Sequence, residues 1–256
     1  MAISIPCPDY EAMGLKKDGV YQQLNVNQLQ IENEYYSSVR PKAILQGMEK
    51  PVRALQRAGV EYVELRSVDV NPFEPTGVDE QQLVFLEAFM IFNLLKDSPV
   101  ISEEEQEENE TNASRVAHRG REPGLCLQRG GKCVPLRDWG MEILLEMDML
   151  CELLDEVHGS SRYKDALETQ VARMQDPDLT PSAQVLREME ERKEGFFHFA
   201  FRQAHNHLAY FKSLPRDERR FDALEKESIE SLEKQWARKS DDTVSFEQFL
   251  ADYLAQ

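Results

Sequence analysis

The sequence predicts an α+β protein whose strands lie in the first third of the chain. Period-two alternation of apolar and polar residues is typical of strands, and it occurs at 20–36 and 60–70. From residue 79 onward, helix-start signals and helical spacing of apolar residues dominate. We therefore expect a sheet region with one buried helix at 1–97 and a mainly helical region at 98–256.

The segment 20–36 is predicted to be a kinked strand or a hairpin. Leu24 and Val26 share one phase of the alternation, whereas Leu29 and Ile31 share the other. A change of phase requires a bulge or a turn, which we expect near residues 27–28. After it, one face is polar and acidic and carries Gln30, Glu32, Glu34 and Tyr36.

A loop, a short helix and a second strand are predicted next. Prolines and basic residues favour a loop at 37–51, and the helix is expected from Pro51 to Gly59. The alternation then predicts a strand at 60–70, in which Glu64 and Arg66 lie on one face, about 6.6 Å apart. Prolines in the segment 71–75 end this strand because proline cannot donate to a ladder.

Capping signals predict the helices of the remaining chain. Asp79 and Gln82 have the spacing of a capping box for a helix that ends near Lys96. Its stretch 83–95 has 11 apolar residues in 13, which is short of the roughly 18 to 20 that cross a bilayer, and we expect a buried helix. The same reasoning predicts caps at Ser102 and Ser245, a solvated helix face or mobile segment at 103–110, and a glycine-containing loop at 121–132.

Composition excludes some classes of function. With 30 Lys and Arg against 47 Asp and Glu, the formal charge is −17, which argues against binding to a nucleic-acid backbone. The first residues lack the basic and apolar pattern of a secretory signal, so we expect a cytoplasmic protein with no membrane contact. The four cysteines form no Cys-x-x-Cys pair, and free thiols are expected at Cys126 and Cys133, with a local redox pair as the alternative.

Candidate chemistry is limited to the predicted strands. No glycine-rich nucleotide loop is present, but a carboxylate-lined sheet can hold nucleotide phosphates through magnesium ions. The candidate carboxylates are Glu32, Glu34 and Glu64, for which a solvated strand face is the alternative. Arg66 either binds an anion or forms an internal salt bridge to Glu64 or Glu61.

Other residue types give no site of their own. Tyr36 either presents its phenol to a substrate or lies at the edge of the core. The five histidines have no metal-ligand spacing. Aromatic residues are concentrated at 196–211, where we expect helix packing by Phe196, Phe197, Phe199, Phe201, Tyr210 and Phe211.

Five ordered blocks closely resemble the proteobacterial type of glutamate–cysteine ligase. They are LQIENEYY at 29–36, VRPK at 39–42, GVEYVELRS at 59–67, DVNPF at 69–73 and GVDEQQ at 77–82. Weaker matches follow at 120–125 and 176–182. The resemblance implies part of a glutamine-synthetase-like antiparallel sheet followed by helices.

The resemblance also implies an activity. The family forms γ-glutamylcysteine, the first step of glutathione synthesis, from glutamate, cysteine and ATP with magnesium. ATP phosphorylates the γ-carboxylate of glutamate, and the cysteine amine then displaces phosphate. By position, Glu64 matches a metal-binding glutamate, Arg66 matches an arginine that faces the substrate glutamate and the phosphoryl group, and Tyr36 matches a tyrosine of the cysteine pocket.

The family's chain is about twice as long as this one, and the match begins in the middle of its catalytic domain. We therefore expect the C-terminal half of such an enzyme, with little activity alone and with a separate N-terminal half or self-association as its partner. The alternative is a non-catalytic remnant or partner-binding module.

Overall fold

A computed structural model describes residues 4–241 and 243–255, and it confirms the α+β class. The chain divides into two compact units, of which the first comprises 1–69 and 215–256 and the second comprises 70–214. The predicted boundary at residue 97 falls within the second unit, and the assignment of that boundary stays a prediction.

The first unit holds two antiparallel ribbons and peripheral helices. The strands are β1 (Lys16–Lys17), β2 (Val20–Tyr21), β3 (Val39–Lys42) and β4 (Tyr62–Leu65), and β1 pairs with β2 while β3 pairs with β4. The helices are α1 (Pro8–Met13), α2 (Pro51–Ala58) and, after the second unit, α10 (Glu218–Asp241) and α11 (Phe246–Leu254).

The second unit is mostly helical. Its helices are α3 (Glu80–Leu95), α4 (Glu103–Arg119), α5 (Leu136–Glu146), α6 (Asp148–His158), α7 (Arg162–Gln175), α8 (Pro181–Arg192) and α9 (Phe196–Ser213). A hairpin of β5 (Cys126–Arg129) and β6 (Lys132–Pro135) follows α4.

The hydrophobic core lies in the second unit. Side chains of four helices meet there, namely Val84 and Ala88 of α3, Leu144 of α5, Cys151 of α6, and Tyr163, Ala166 and Leu167 of α7, with Met147 between α5 and α6. The stretch 83–95 thus belongs to the core, as predicted, although Leu83, Leu94 and Leu95 are exposed. Within the described residues, no helix has both the length and the apolar character to span a bilayer.

Helix ends follow the predicted caps. Asp79 and Gln82 form a complete capping box at α3, because each side chain accepts a hydrogen bond from the other residue's backbone N–H. Ser102 and Ser245 cap α4 and α11. The helix predicted from Pro51 ends at Gly59, whose φ of +76° suits a residue without a β-carbon.

Of the kinked strand or hairpin predicted at 20–36, only Val20–Tyr21 is a strand, and the part predicted at 29–36 is wrong. This segment contains a short 3₁₀ helix at Glu32–Glu34. Side chains compete here with a strand ladder for the backbone: Gln30 Oε1 accepts from Leu24 N at 2.7 Å, Asn25 Nδ2 donates to Gln30 O at 2.6 Å, and Glu34 Oε2 accepts from Gln30 N at 2.6 Å. The predicted acidic strand face therefore does not form.

Both predicted loops contain strands. The loop expected at 37–51 includes β3, and the loop expected at 121–132 includes β5 and the first residue of β6. Gly130 and Gly131 have φ of +59° and +73°, which is the geometry of a two-residue hairpin turn. The strand expected at 60–70 is shorter than predicted, since β4 covers only Tyr62–Leu65.

The expectation of free thiols at Cys126 and Cys133 is also wrong, because the two residues form a disulfide. They lie on neighbouring strands of one hairpin, with their Cα atoms 5.5 Å apart, which is within reach of such a bond.

Helix α4 lies along the outer edge of β5. Its Asn112 is buried, and its side-chain amide forms the two hydrogen bonds that a neighbouring strand would form with Gln128. Nδ2 donates to Gln128 O at 2.7 Å, and Oδ1 accepts from Gln128 N at 2.8 Å. Arg115 Nη1 donates to Cys126 O at 3.2 Å, and Glu108 accepts from both turn amides, Gly130 N and Gly131 N. The acidic run is therefore a helix with one face tied to a strand.

The aromatic prediction for 196–211 holds only in part. All six residues lie on α9, but Phe199 alone among them is fully buried, and it packs edge-to-face against Phe73 with ring centroids 6.0 Å apart. The other five side chains are at least 47% exposed. Packing onto this unit therefore accounts for Phe199 only.

Candidate active site

The β3–β4 ribbon brings the predicted site residues together on one face. Arg40 lies directly opposite Glu64, and Lys42 lies opposite Tyr62. Arg66 continues the register, since its N–H donates to Ser38 O at 2.8 Å. Residues opposite each other, or two apart, share a face of a ribbon. One face is therefore polar and carries Arg40, Lys42, Tyr62, Glu64 and Arg66.

Glu64 is paired with two cations on this face. Arg66 Nη2 donates to Glu64 Oε1 at 3.1 Å, and Lys42 Nζ lies 3.5 Å from Glu64 Oε2. The hydrogen bond from Arg66, followed by the positive charges of Arg66 and Lys42, holds the pKa of Glu64 below its ordinary value. The predicted common face of Glu64 and Arg66 is confirmed, and so is the internal salt bridge that was one of the alternatives for Arg66.

Tyr36 lies against Arg66, although the two residues are 30 positions apart. The guanidinium carbon of Arg66 is 5.8 Å from the centre of the Tyr36 ring, and the Tyr36 hydroxyl donates to Arg66 O at 3.4 Å. The Tyr36 side chain is 66% exposed. Tyr36 is thus neither buried nor remote, and an aromatic face of this kind restricts the orientation of the guanidinium.

Arg40 belongs to the matching block at 39–42, for which the sequence predicts no role, and it also lies on this face. It is half-buried, it stands opposite Glu64, and within the described residues it forms no ion pair because Glu64 is taken by Arg66 and Lys42. The signal was present, since Ser38, Arg40 and Lys42 alternate with Val39 and Pro41. The proline led to the prediction of a loop and hid this alternation.

The other candidate carboxylates have local roles. Glu34 accepts from Gln30 N, as described above, and Glu32 Oε2 accepts from Val52 N at 3.2 Å at the start of α2. Both residues belong to the 3₁₀ helix rather than to the polar face of the ribbon. The structure therefore leaves Glu64 as the only carboxylate among the strand residues of this face.

The residues on this face do not fit a complete magnesium site. Glu64 Oε2 lies 3.1 Å from Arg66 Nη2 and 3.5 Å from Lys42 Nζ. One carboxylate flanked by two cations cannot supply the several oxygen ligands that the ion takes. Across the described chain, no group of three or more His, Cys, Asp or Glu side chains is arranged to hold a metal ion. His207 forms a hydrogen bond through Nε2 to Pro72 O at 2.9 Å.

Comparison with known proteins identifies relatives of the chain. The profile of the family described as Glutamate-cysteine ligase matches residues 1–116. Glutamate–cysteine ligase from Alcanivorax borkumensis is 44% identical over 258 residues, which cover 99% of this chain and 49% of that relative. The enzyme of the same name from Pseudomonas aeruginosa strain UCBPP-PA14 is 43% identical over 254 residues, covering 99% and 48%.

The fold gives the same result. The crystal structure of glutamate–cysteine ligase from Francisella tularensis in complex with AMP superposes with a TM-score of 0.88 at 30% identity, covering 98% of this chain and 50% of that one. The chain thus spans about half the length of the curated relatives it matches. By sequence and by fold, it belongs with the proteobacterial glutamate–cysteine ligases and corresponds to about half of such an enzyme.

Proposed function

We propose that this chain works in the cytoplasm as the C-terminal half of an ATP-dependent ligase. The reaction joins the γ-carboxylate of glutamate to the amino group of cysteine through a γ-glutamyl phosphate. The observation that carries the proposal is the polar face of the β3–β4 ribbon, where Tyr36, Glu64 and Arg66 meet in a chain related along 99% of its length to glutamate–cysteine ligases. The AMP bound to the Francisella tularensis relative supports the use of a nucleotide.

Arg66 is suited to bind the phosphoryl group that is transferred. A guanidinium has five N–H donors, and the contact with Glu64 engages Nη2. The remaining donors are available to the oxygens of a γ-glutamyl phosphate, on which negative charge accumulates during transfer. Because Glu64 and the Tyr36 ring restrict the guanidinium, less conformational freedom is lost when the anion binds.

Tyr36 and Glu64 have separate proposed roles. Tyr36 is exposed next to Arg66, and its phenol would line the cysteine side of the site. Glu64 would supply one carboxylate to magnesium, which neutralises the phosphates of ATP when bound. The further ligands would come from the half of the relatives that this chain does not span.

The ligase proposal predicts complementation. The purified chain, supplied with ATP, magnesium, glutamate and cysteine, is expected to release little ADP, because a single carboxylate does not hold the ion. Addition of the half of the Pseudomonas aeruginosa relative that this chain does not match should restore cysteine-dependent ADP release. In that mixture, Glu64→Gln should lower the rate about a hundredfold or more, whereas Glu107→Gln, on the exposed side of α4, should leave it unchanged.

Two outcomes would contradict this prediction. ADP release by the chain alone at the rate of a full-length relative would show that the half is sufficient. Absence of activity in the mixture, from proteins shown to be folded, would favour the alternative, a non-catalytic remnant or partner-binding module.

A further inference from the structure

The outward side of α9 carries a row of apolar residues. The helix packs onto the second unit through the side that holds Phe199 and Gln203, both of which are buried. At 3.6 residues per turn, positions spaced alternately by four and three residues share one side of a helix. On the side away from the unit, such positions are occupied by Phe197, Phe201, Ala204, Leu208 and Phe211. These five residues are called the α9 seam below.

The α9 seam is exposed to solvent along its whole length. Phe197 is 74% exposed, Phe201 56%, Leu208 50% and Phe211 47%, and Ala204 is exposed as well. The rings of Phe197 and Phe201 are stacked, with their centroids 6.0 Å apart, and so form one aromatic surface. Larger contiguous apolar patches on a soluble protein mark sites of interaction. The α9 seam therefore has the character of an interface.

The sizes of the side chains are arranged symmetrically along the α9 seam. Ala204 lies in the middle, and two large side chains lie on each side of it. A second copy of the helix can lie antiparallel to the first, with a two-fold axis beside Ala204. Phe197 then lies opposite Phe211 of the second copy. Phe201 lies opposite Leu208 of the second copy. A small residue at the centre lets two helices approach closely, and a patch that complements itself is what a two-fold dimer requires.

The charge of α9 also permits two copies to meet. The chain as a whole has a formal charge of −17, but α9 contains no Asp or Glu. Its Arg202 is paired with Glu188 and Glu194. Net charge far from zero keeps copies of a protein apart. Repulsion between two acidic chains is therefore reduced where they approach along this helix.

The area of the α9 seam determines how strongly two copies can associate. An aromatic side chain covers about 200 Å², so the exposed parts of the three phenylalanines amount to roughly 350 Å² per copy, to which Leu208 and Ala204 add. A dimer would bury about 800 to 1,000 Å² in total, which is less than the roughly 1,600 Å² of a standard interface. We therefore expect a reversible dimer rather than a permanent one.

We propose that the α9 seam binds the α9 seam of a second copy of this chain, antiparallel and with the two-fold axis at Ala204. This occupant follows from the symmetry of the seam, from the absence of carboxylates on the helix and from the area. The alternative occupant is the half of the relatives that this chain does not span. The inference goes beyond the proposed function, since the seam shares no residue with the candidate active site.

Sedimentation equilibrium of the whole chain tests the association. The unaltered chain should show a monomer–dimer equilibrium with a dissociation constant in the micromolar range. Phe201→Gln removes a large side chain from both copies and should raise this constant about tenfold or more. Phe196→Gln is the matched control, because Phe196 is 65% exposed on the same helix but lies off the seam, and it should change the constant less than about twofold.

Cysteine cross-linking tests the position of the two-fold axis. Helices packed 8–10 Å apart bring facing Cα atoms within reach of a disulfide. In a Cys7→Ser background, which leaves only the buried Cys151 as a free thiol, Ala204→Cys should form a linked dimer with copper phenanthroline as oxidant. Ala200→Cys should not, because its two copies would lie about 12 Å apart along the helix axes.

The measurements give clear grounds for rejection. A monomer at every concentration up to the millimolar range, or equal effects of Phe201→Gln and Phe196→Gln, would overturn the proposal. Absence of the link in Ala204→Cys would do the same. Loss of that link on addition of the unmatched half of the Pseudomonas aeruginosa relative would show that this half covers the seam. Neither measurement uses ADP release, so the dimer and the ligase assignment can fail separately.

Discussion

Glu64 is a carboxylate held between two cations, and its ionisation reports the geometry of the candidate site. Because the pKa of Glu64 is lowered, the pair with Arg66 stabilises the folded chain above the unfolded pKa of glutamate, about 4.3. This contribution is lost as the pH falls through the lower, folded value. The Glu64 carboxylate therefore remains ionised throughout the neutral pH range.

Replacement of the two cations should raise the pKa of Glu64 unequally. Arg66→Gln is expected to bring it close to its ordinary value, because the hydrogen bond from Arg66 is the main cause of the decrease. Lys42→Gln should raise it less, since Lys42 lies 3.5 Å away and contributes less. A pH titration of the Glu64 carboxyl ¹³C shift measures both changes. Equal changes, or a larger one for Lys42→Gln, would show that the paired geometry is wrong.

At the level of residues, the sequence predicts what depends on strand phase. The common face of Glu64 and Arg66 follows from their spacing of two and needs no long-range information. The contact of Tyr36 with Arg66 spans 30 positions, and only the family resemblance brought the two residues into one site. The roles of Tyr36, Glu64 and Arg66 stay proposals. The sequence predicts a loop at 37–51 and therefore does not place Arg40 opposite Glu64.

Asp155 connects two helices, since it lies in α6 and caps the start of α7. Its Oδ1 accepts from Tyr163 N at 3.0 Å and from Ser160 Oγ at 3.1 Å, and its Oδ2 accepts from Lys164 N at 2.9 Å. Burial by itself raises the pKa of Asp155, but the hydrogen bonds from the Lys164 and Tyr163 amides hold it below its ordinary value. The carboxylate thus satisfies N–H groups that the first turn of a helix leaves without partners.

Removal of this cap should destabilise the second unit. Asp155→Ala leaves two backbone donors without an acceptor beside the core, and we expect it to lower the free energy of unfolding by about 2 to 3 kcal/mol. Glu168→Ala, on the exposed face of α7, should change it by less than about 0.5 kcal/mol. Urea denaturation measures both values.

Loss of the Asp155 carboxylate should also change how stability depends on pH. Because its pKa is lowered on folding, Asp155 contributes stability above the unfolded value of about 3.9 and loses it as the pH falls through the folded value. Asp155→Asn should therefore unfold with a weaker dependence on acidic pH than the unaltered chain. An unchanged acid dependence would contradict the proposed role of the carboxylate.

At the level of elements, helix caps could be predicted from the sequence. The competition between side chains and a strand ladder for backbone hydrogen bonds could not. Caps such as Asp79 with Gln82 were predicted because all their partners lie within one helical turn. The cap by Asp155 was not, since its partners lie eight and nine residues away. The strand expected at 29–36 was wrong because Gln30 and Glu34 bond the backbone locally, and alternation alone does not reveal that competition.

The two units differ in how much apolar surface they bury. The described hydrophobic cluster lies wholly in the second unit, on α3, α5, α6 and α7. In the first unit, the buried residues include the small side chains Ala43 and Ala54, Leu250 and the polar Gln23. A region with few buried apolar side chains opens more readily than one with a continuous core.

Amide exchange of the isolated chain should therefore be uneven. We expect the slowest exchange in α3 and α5–α7, and exchange at least about tenfold faster in β3 and β4. Measurement by mass spectrometry after a series of labelling times checks this difference. Equal protection of the two units would indicate that the first unit has a core of its own or that copies of the chain associate.

The hydrogen bonds between Asn112 and β5 limit which residues of α4 can be substituted during evolution. Three of the 17 residues of this helix form hydrogen bonds to the hairpin. They are Glu108, Asn112 and Arg115, which recur at intervals of four and three along one side. Most of the other side chains of the helix are exposed, so the main requirement at those positions is a residue with good helix propensity. Lineages carrying this chain are thus free to exchange most of the acidic run for other helix-forming residues, provided that one amide side chain still takes the place of a strand.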